Sequence, residues 1–266
     1  DYRKVGLIQT LDMRLIMIKY YGTPLTPNRV FDEVFENGRN CLIPFPNPQN
    51  LKRAKGLCNK IIVDNGAFTL WRKGGKIEWN YYYLFISENL SDIEFYFIPD
   101  VIDGTEEEND HLIADYFLRG GTKGVPIWHI NESFERLERL MNSFDYIAIG
   151  SAGEFAQLGT HKWHKRMDEA MRVICDIDGY PKVKVHMLRC LDPGIFTRYP
   201  FYSGDSTSLA QNHSRDGWRQ ITERIEKYNS PLFYTFRNYY ETKSLFENRE
   251  DTVVEKGLID EQDRFI

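Results

Sequence analysis

Apolar residues recur along the chain in short unbroken runs, and amphipathic stretches separate most of them. Eight runs read as buried strands: Leu15–Lys19, Cys41–Pro44, Lys60–Val63, Ile93–Ile98, Gly124–Trp128, Tyr146–Ile149, Val183–Leu188 and Phe201–Ser203. A short run without polar alternation fits a strand covered on both faces. Helical periodicity or helix-start signals mark Thr26–Asn37, Trp79–Leu90, Glu106–Arg119, Glu132–Ser143, Lys162–Ile177 and Asp216–Tyr228. Pro27 suits a first helical turn, Asn131 or Ser133 can cap the fourth helix, and Gly120-Gly121 stops the third. This alternation predicts a parallel sheet of the α/β class. A single (β/α)8 TIM barrel over residues 1–266, with a C-terminal extension from about residue 230, fits best, and a doubly wound open sheet is the alternative.

Composition narrows the class without changing it. The 266 residues are 42% hydrophobic and 27% charged, which excludes wholesale disorder. Lys and Arg number 34 against 39 Asp and Glu, a net charge of −5, so no overall basic surface grips nucleic acid by charge alone. Local basic patches stay open. No run approaches the roughly 18 apolar residues of a membrane helix, and Asp1-Tyr2-Arg3-Lys4 leads into no apolar segment of a signal peptide. The first residue is not Met, so the numbering is expected to begin inside a longer gene product. Cys41, Cys58, Cys175 and Cys190 form no close pair, which predicts free thiols, no structural zinc and a cytoplasmic location.

In a βα barrel the chemistry gathers where the strands end. Asp64 follows the third run, Asp100 and Asp103 the fourth, His129 the fifth, and Gly150-Ser151 the sixth. His186-Met187-Leu188-Arg189 ends the seventh, and Asp205 follows the eighth. One such Asp can be a helix cap, but three at one rim predict a carboxylate site. No Gly-x-Gly-x-x-Gly or Walker loop follows a strand, so no nucleotide cofactor is expected. Paired carboxylates suit cleavage of glycosidic or N-glycosidic bonds, where one attacks or shields the sugar carbon and another moves the proton.

The ordered set Asp64-Asn65-Gly66-Ala67-Phe68, Ala148-Ile149-Gly150-Ser151 with Gly153-Glu154, then Met187 and Asp205 resembles the tRNA-guanine transglycosylases. It is most similar to their phage-type relatives, which insert 7-deazaguanine bases into DNA. That resemblance implies a TIM barrel exchanging guanine through a covalent Asp–sugar intermediate. Asp205 would be the nucleophile and Asp64 the general acid/base; Asp100, or Asp103 in its place, would read the base. Phe68 and Met187 would sandwich the ring, Gly150 and Ser151 would offer backbone hydrogen bonds, and His129 would face the purine edge. The implied partners are a nucleic acid, DNA before tRNA, and a 7-deazaguanine base, with no membrane and with a homodimer or partner subunit left open. No cofactor is implied.

The chain departs from that family in lacking its three-Cys-plus-His zinc site and zinc-bearing insertion, and the arginines after the nucleophile. His161-Lys162-Trp163-His164-Lys165-Arg166 offers other positive charge, either as a solvated face or as a phosphate contact. The rival readings are a metal-dependent hydrolase using His129, His186 and Asp205, a nucleosidase, and a catalytically silent targeting subunit.

Overall fold

Nine parallel strands, hydrogen-bonded in the order β5-β4-β3-β2-β1-β9-β8-β7-β6, make up one sheet among the described residues. They are β1 (Ile18–Gly22), β2 (Asn40–Pro44), β3 (Ile61–Asp64), β4 (Phe95–Phe97), β5 (Gly124–Val125), β6 (Ile127–His129), β7 (Tyr146–Gly150), β8 (Lys184–Met187) and β9 (Ser203–Ser206). The computed structural model describes residues 16–72, 74 and 78–236. Only Pro126 separates β5 from β6, yet β5 pairs with β4 and β6 with β7. Proline has no N–H to continue a ladder, so one strand is broken there and its halves serve opposite ends of the sheet. The sheet thereby closes on itself as a single α/β TIM barrel, as the alternation of runs predicts.

Helices α1 (Asn28–Phe35), α2 (Leu51–Leu57), α3 (Ala67–Arg72), α4 (Trp79–Asn89), α5 (Glu106–Leu118) and α6 (Phe134–Ser143) follow the first strands. Then come α7 (His161–Ile174), α8 (Pro193–Phe196), α9 (Ser208–Asp216) and α10 (Trp218–Glu226). Sequence pattern misses α2, α3, α8 and most of α9, whose apolar content is too low or too short to show a period. The expected Asp216–Tyr228 helix starts at Trp218 as α10, because Gly217, at φ +72°, separates it from the end of α9 at Asp216. Two apolar layers hold the barrel. Tyr20, Leu42, Ile62, Phe95, Phe97, Val125, Ile127 and Ala148 fill one cluster, and Val63, Ile93, Tyr96 and Ile98 pack with Tyr82, Ile86 and Tyr116 of α4 and α5 in another. Consecutive residues Ile62 and Val63, and Tyr96 and Phe97, divide between the two. That division is the period of two expected of a strand with an inner and an outer face.

Tyr234 ends this unit, buried, donating its hydroxyl to Asp168 at 2.6 Å and stacked on Tyr199. Of the expected C-terminal extension, residues 237–266 lie outside the described residues, and so does Leu15 of the expected first strand. Among the described residues no helix is long and apolar enough to cross a membrane. Cys41, Cys58, Cys175 and Cys190 are free thiols.

Candidate active site

A cavity of about 950 Å³ opens at the C-terminal ends of the strands. Asp64, Asp100 and Asp205 all line it, together with Asn65, Phe68, His129, Gly150, Ser151 and Arg189. The strand pleat explains the convergence. Asp64 lies two residues after Ile62 on β3 and so shares its inner face, as Asp205 shares that of Ser203 on β9. The run expected as the eighth strand, Phe201–Ser203, gives way to β9 at Ser203–Ser206, so Asp205 belongs to the strand itself. Its small residues, Ser-Gly-Asp-Ser, hide it from any reading by apolar content.

Asp100 sits in a fixed polar frame. Asn65 donates to its Oδ1 at 2.7 Å and to the Ile98 carbonyl, while accepting from the Ala67 amide. His129 Nε2 meets Asp100 Oδ2 at 2.9 Å, and the opposite ring nitrogen lies 3.4 Å from Glu132. Glu132 also accepts from the His129 amide at 2.8 Å, from Arg136 at 2.6 Å and from Asn109 at 3.2 Å. Burial by itself would lower the His129 pKa, but the hydrogen bonds and charges of Asp100 and Glu132 outweigh it and carry the imidazole up to about 9. His129 is therefore an imidazolium at neutral pH. The expected helix Glu132–Ser143 starts later, at Phe134, with Ser133 accepting from the Arg136 amide as its cap. That late start leaves the Glu132 side chain free to turn inward.

Asp64 behaves differently. It is half-buried in the cavity wall, and desolvation there, followed by the charges of Asp205 and Asp100, pushes its carboxyl up to about 7. The Gly66 amide and Arg189 pull weakly the other way. Gly66 itself has φ +83°, and a Cβ there would sit 2.3 Å from the Pro46 ring, so glycine is required where the chain turns from Asp64 into α3. Asp205 Oδ1 accepts from the Arg189 amide at 3.1 Å and meets His186 Nε2 at 3.0 Å. Arg189 holds φ +56°, the left-handed region. From that turn its guanidinium donates to the Ser151 carbonyl at 2.8 Å and lies 4.1 Å from the centre of the Phe68 ring. Burial lowers its pKa while Asp205 and Asp64 oppose the shift.

Two expectations about individual positions need correction. Met187 does not face the cavity: His186 points into the barrel, so its neighbour Met187 points outward and is fully buried. Its place against the Phe68 ring is taken by Arg189. Asp103 is exposed, accepts from the Trp71 indole and does not line the cavity, which leaves Asp100 as the inward residue. The basic run at 161–166 opens α7 with His161, Lys162 and Lys165 exposed and Lys162 paired with Glu154, while Trp163 is buried, His164 meets Tyr199, and Arg166 binds the Ile130 and Glu132 carbonyls. Gly150 and Ser151 do line the cavity, and a Cβ on Gly150 would press on the His129 ring at 3.1 Å. Their carbonyls already accept from the Ile130 amide and Arg189. His129 and His186 serve separate carboxyls, and among the described residues no group of three or more His, Cys, Asp or Glu could hold a metal ion. Asn65, Glu132 and Arg189 are the residues of the site that sequence reasoning passes over.

No protein-family model matches the chain, and no curated protein matches it. Solved structures similar to it include two mutant tryptophan synthase α-subunits from Pyrococcus furiosus. One is 12% identical with TM-score 0.48, covering 80% of this chain and 97% of that one. The other is 14% identical with TM-score 0.47, covering 80% and 96%. A protein from Aquifex aeolicus VF5 is 14% identical with TM-score 0.45, covering 81% and 91%. The transglycosylase resemblance is corrected by these findings: no transglycosylase is among the similar structures named and no family model supports the motif series. The reading of the chain as a phage-type enzyme exchanging guanine for 7-deazaguanine falls with it.

Proposed function

We propose that the barrel mouth is the active site of an acid–base enzyme, which moves protons to and from a small polar molecule held in the cavity. The observation that carries this reading is the Asp64 carboxyl, raised to about 7 within the same cavity as Asp205 and Asp100. A catalytic acid or base works best when its pKa lies near the operating pH. Perturbed carboxyls in a cleft mark functional sites more often than structural ones. Asp64 would give and take the proton. Asp100, locked between Asn65 and His129, would present a fixed acceptor beside the imidazolium. Arg189 on Phe68 would supply positive charge and a flat wall at the rim.

The test is a set of small polar metabolites incubated with the protein in D2O and followed by NMR. The wild type should convert a substrate or load it with solvent deuterium, with an apparent pKa near 7, and Asp64→Asn should lose that activity. A carbon-13 titration showing Asp64 with a midpoint near 4, or full turnover by Asp64→Asn, overturns the reading.

A further inference from the structure

Below the mouth, the inside of the barrel holds a line of polar groups that the proposed chemistry does not use. His186 on β8 is fully buried, and so is Ser203 on β9. The ring of His186 joins Asp205 through Nε2 and joins the Ser203 hydroxyl through Nδ1 in a short hydrogen bond. The Ser203 hydroxyl makes a second short hydrogen bond, to the hydroxyl of Tyr146 at the start of β7. Tyr146 in turn lines a separate open cavity of about 580 Å³ at the N-terminal ends of the strands, with Glu94, Lys184 and Tyr202. Four groups thus connect the upper cavity to the lower one.

We propose that Asp205 exchanges protons with solvent at the opposite end of the barrel through a relay of Tyr146, Ser203 and His186.

The donor and acceptor pattern closes in one direction. Burial keeps the Tyr146 phenol protonated, aided by the nearby charges of Tyr202 and Glu94 and opposed by its bond to Ser203. Either hydroxyl can donate in the bond between them, and in the relay the phenol donates to Ser203. Ser203 then donates its own hydrogen to Nδ1, which leaves the ring proton on Nε2, facing Asp205. Each group holds one proton, and each proton points one step nearer to Asp205. A hydronium ion in the lower cavity can give a proton to the Tyr146 oxygen and leave as water. Tyr146 passes its proton to Ser203, Ser203 passes its proton to Nδ1, and the proton on Nε2 bonds to Asp205. Every group ends with the count it began with, except Asp205, which gains one. The pattern is then reversed along the whole line, so the same path returns the proton.

The walls around the line are apolar or aromatic. Tyr20, Phe95 and Phe97 stand 6.2, 5.7 and 5.1 Å from the His186 ring, centre to centre. Such a sheath keeps water away from the imidazole, so protons follow the hydrogen bonds. The charged and titratable groups facing the relay are Asp205 above, Tyr20 beside the ring, and Glu94, Tyr116, Lys123, Asp145, Lys184 and Tyr202 around the lower cavity. A mouth that closes over a substrate would still have its Asp205 in touch with solvent. This inference builds on the mouth as an acid–base site but involves no titration of Asp64.

Its test reads no activity. In protein labelled with nitrogen-15 at histidine, NMR measures how fast the His186 ring N–H exchanges with water. Ser203→Ala removes the middle of the relay, and Tyr146→Phe removes its outer end at unchanged ring volume. Each should slow the exchange by roughly tenfold or more, the scale of one lost hydrogen bond, and Ser203→Thr should restore it. Should Ser203→Ala fail to fold, Tyr146→Phe decides alone. Wild-type exchange rates in Tyr146→Phe with an unchanged circular dichroism spectrum overturn the proposal, since the proton would then come through the mouth. An ordinary Asp64 would sink the proposed function and leave this result standing.

Discussion

Replacing Asp64 by Asn should make the protein more stable, and increasingly so as the pH rises from about 4 to 7. Below the usual carboxylate pKa of 3.8 the side chain is protonated in both folded and unfolded chains, and Asp64 contributes no pH dependence. Above it the unfolded chain ionises while the fold, with its pKa near 7, still holds the proton. Folding is penalised by the difference, and the penalty stops growing once the folded carboxyl also ionises. At about 1.4 kcal/mol per pH unit, the shift from 3.8 to about 7 amounts to a ceiling on the order of 4 kcal/mol. Asp64→Asn has no charge to bury and escapes this cost. Urea unfolding followed by tryptophan fluorescence, at half-unit steps from pH 4 to 8.5, gives the gap between variant and wild type directly. It should open through that window and level off above pH 7. Asp205→Asn in the same series removes the larger of the two carboxyl charges acting on Asp64 and should move the window to lower pH. A gap that is flat with pH, or complete by pH 5, would refute the argument that burial and its two neighbours hold this proton.

His129 gives a second window of the opposite chemical kind. Its pKa is raised from 6.5 to about 9, so its stabilisation is complete below 6.5 and is lost as the pH climbs through 9. His129→Gln should flatten the wild-type decline over that range in the same urea series. Glu132→Gln removes the carboxylate that His129 and the buried Arg136 share, and breaking such a buried pair costs about 3–5 kcal/mol. A loss below about 1 kcal/mol in the urea midpoint analysis would contradict the buried network, given the usual cost of an orphaned polar group. Gly66→Ala forces a Cβ into Pro46 at positive φ; a thermal midpoint within error of wild type would show the Asp64 turn to be less constrained than described.

The barrel was legible because its strands are apolar on both faces, and that signal does not depend on distant contacts. Where a strand carries small polar residues, as β9 does, the signal vanishes, and the strand is found only by its pairing with β1 and β8. The three rim carboxyls Asp64, Asp100 and Asp205 were legible as strand-end residues and do meet in one cavity. Met187 and His186 could have been separated on paper, since adjacent strand residues cannot both face inward. Arg189 could not, because its place at the mouth depends on a left-handed turn that no local sequence preference announces. Glu132 reads as the first residue of a helix and becomes a buried partner of His129 only because the cap falls one residue later. The transglycosylase likeness rested on short pieces of common composition, and the cavity they line does not by itself select a reaction.

Pro126 has a mechanical consequence. Every other junction of the ring is a continuous strand paired on both sides, whereas here the ring is held by two short half-strands and one covalent link. The Ile98 amide bonds the Val125 carbonyl on one side of that link, and the Ala148 amide bonds the Pro126 carbonyl on the other, each at 2.9 Å. A hoop yields where it is thinnest. Girth can change here by parting few hydrogen bonds, directly beneath His129. Amide hydrogen exchange should therefore find Ile98 and Ala148 opening together and ahead of the central strand amides, with the mouth widening on the His129 side before any other part of the rim.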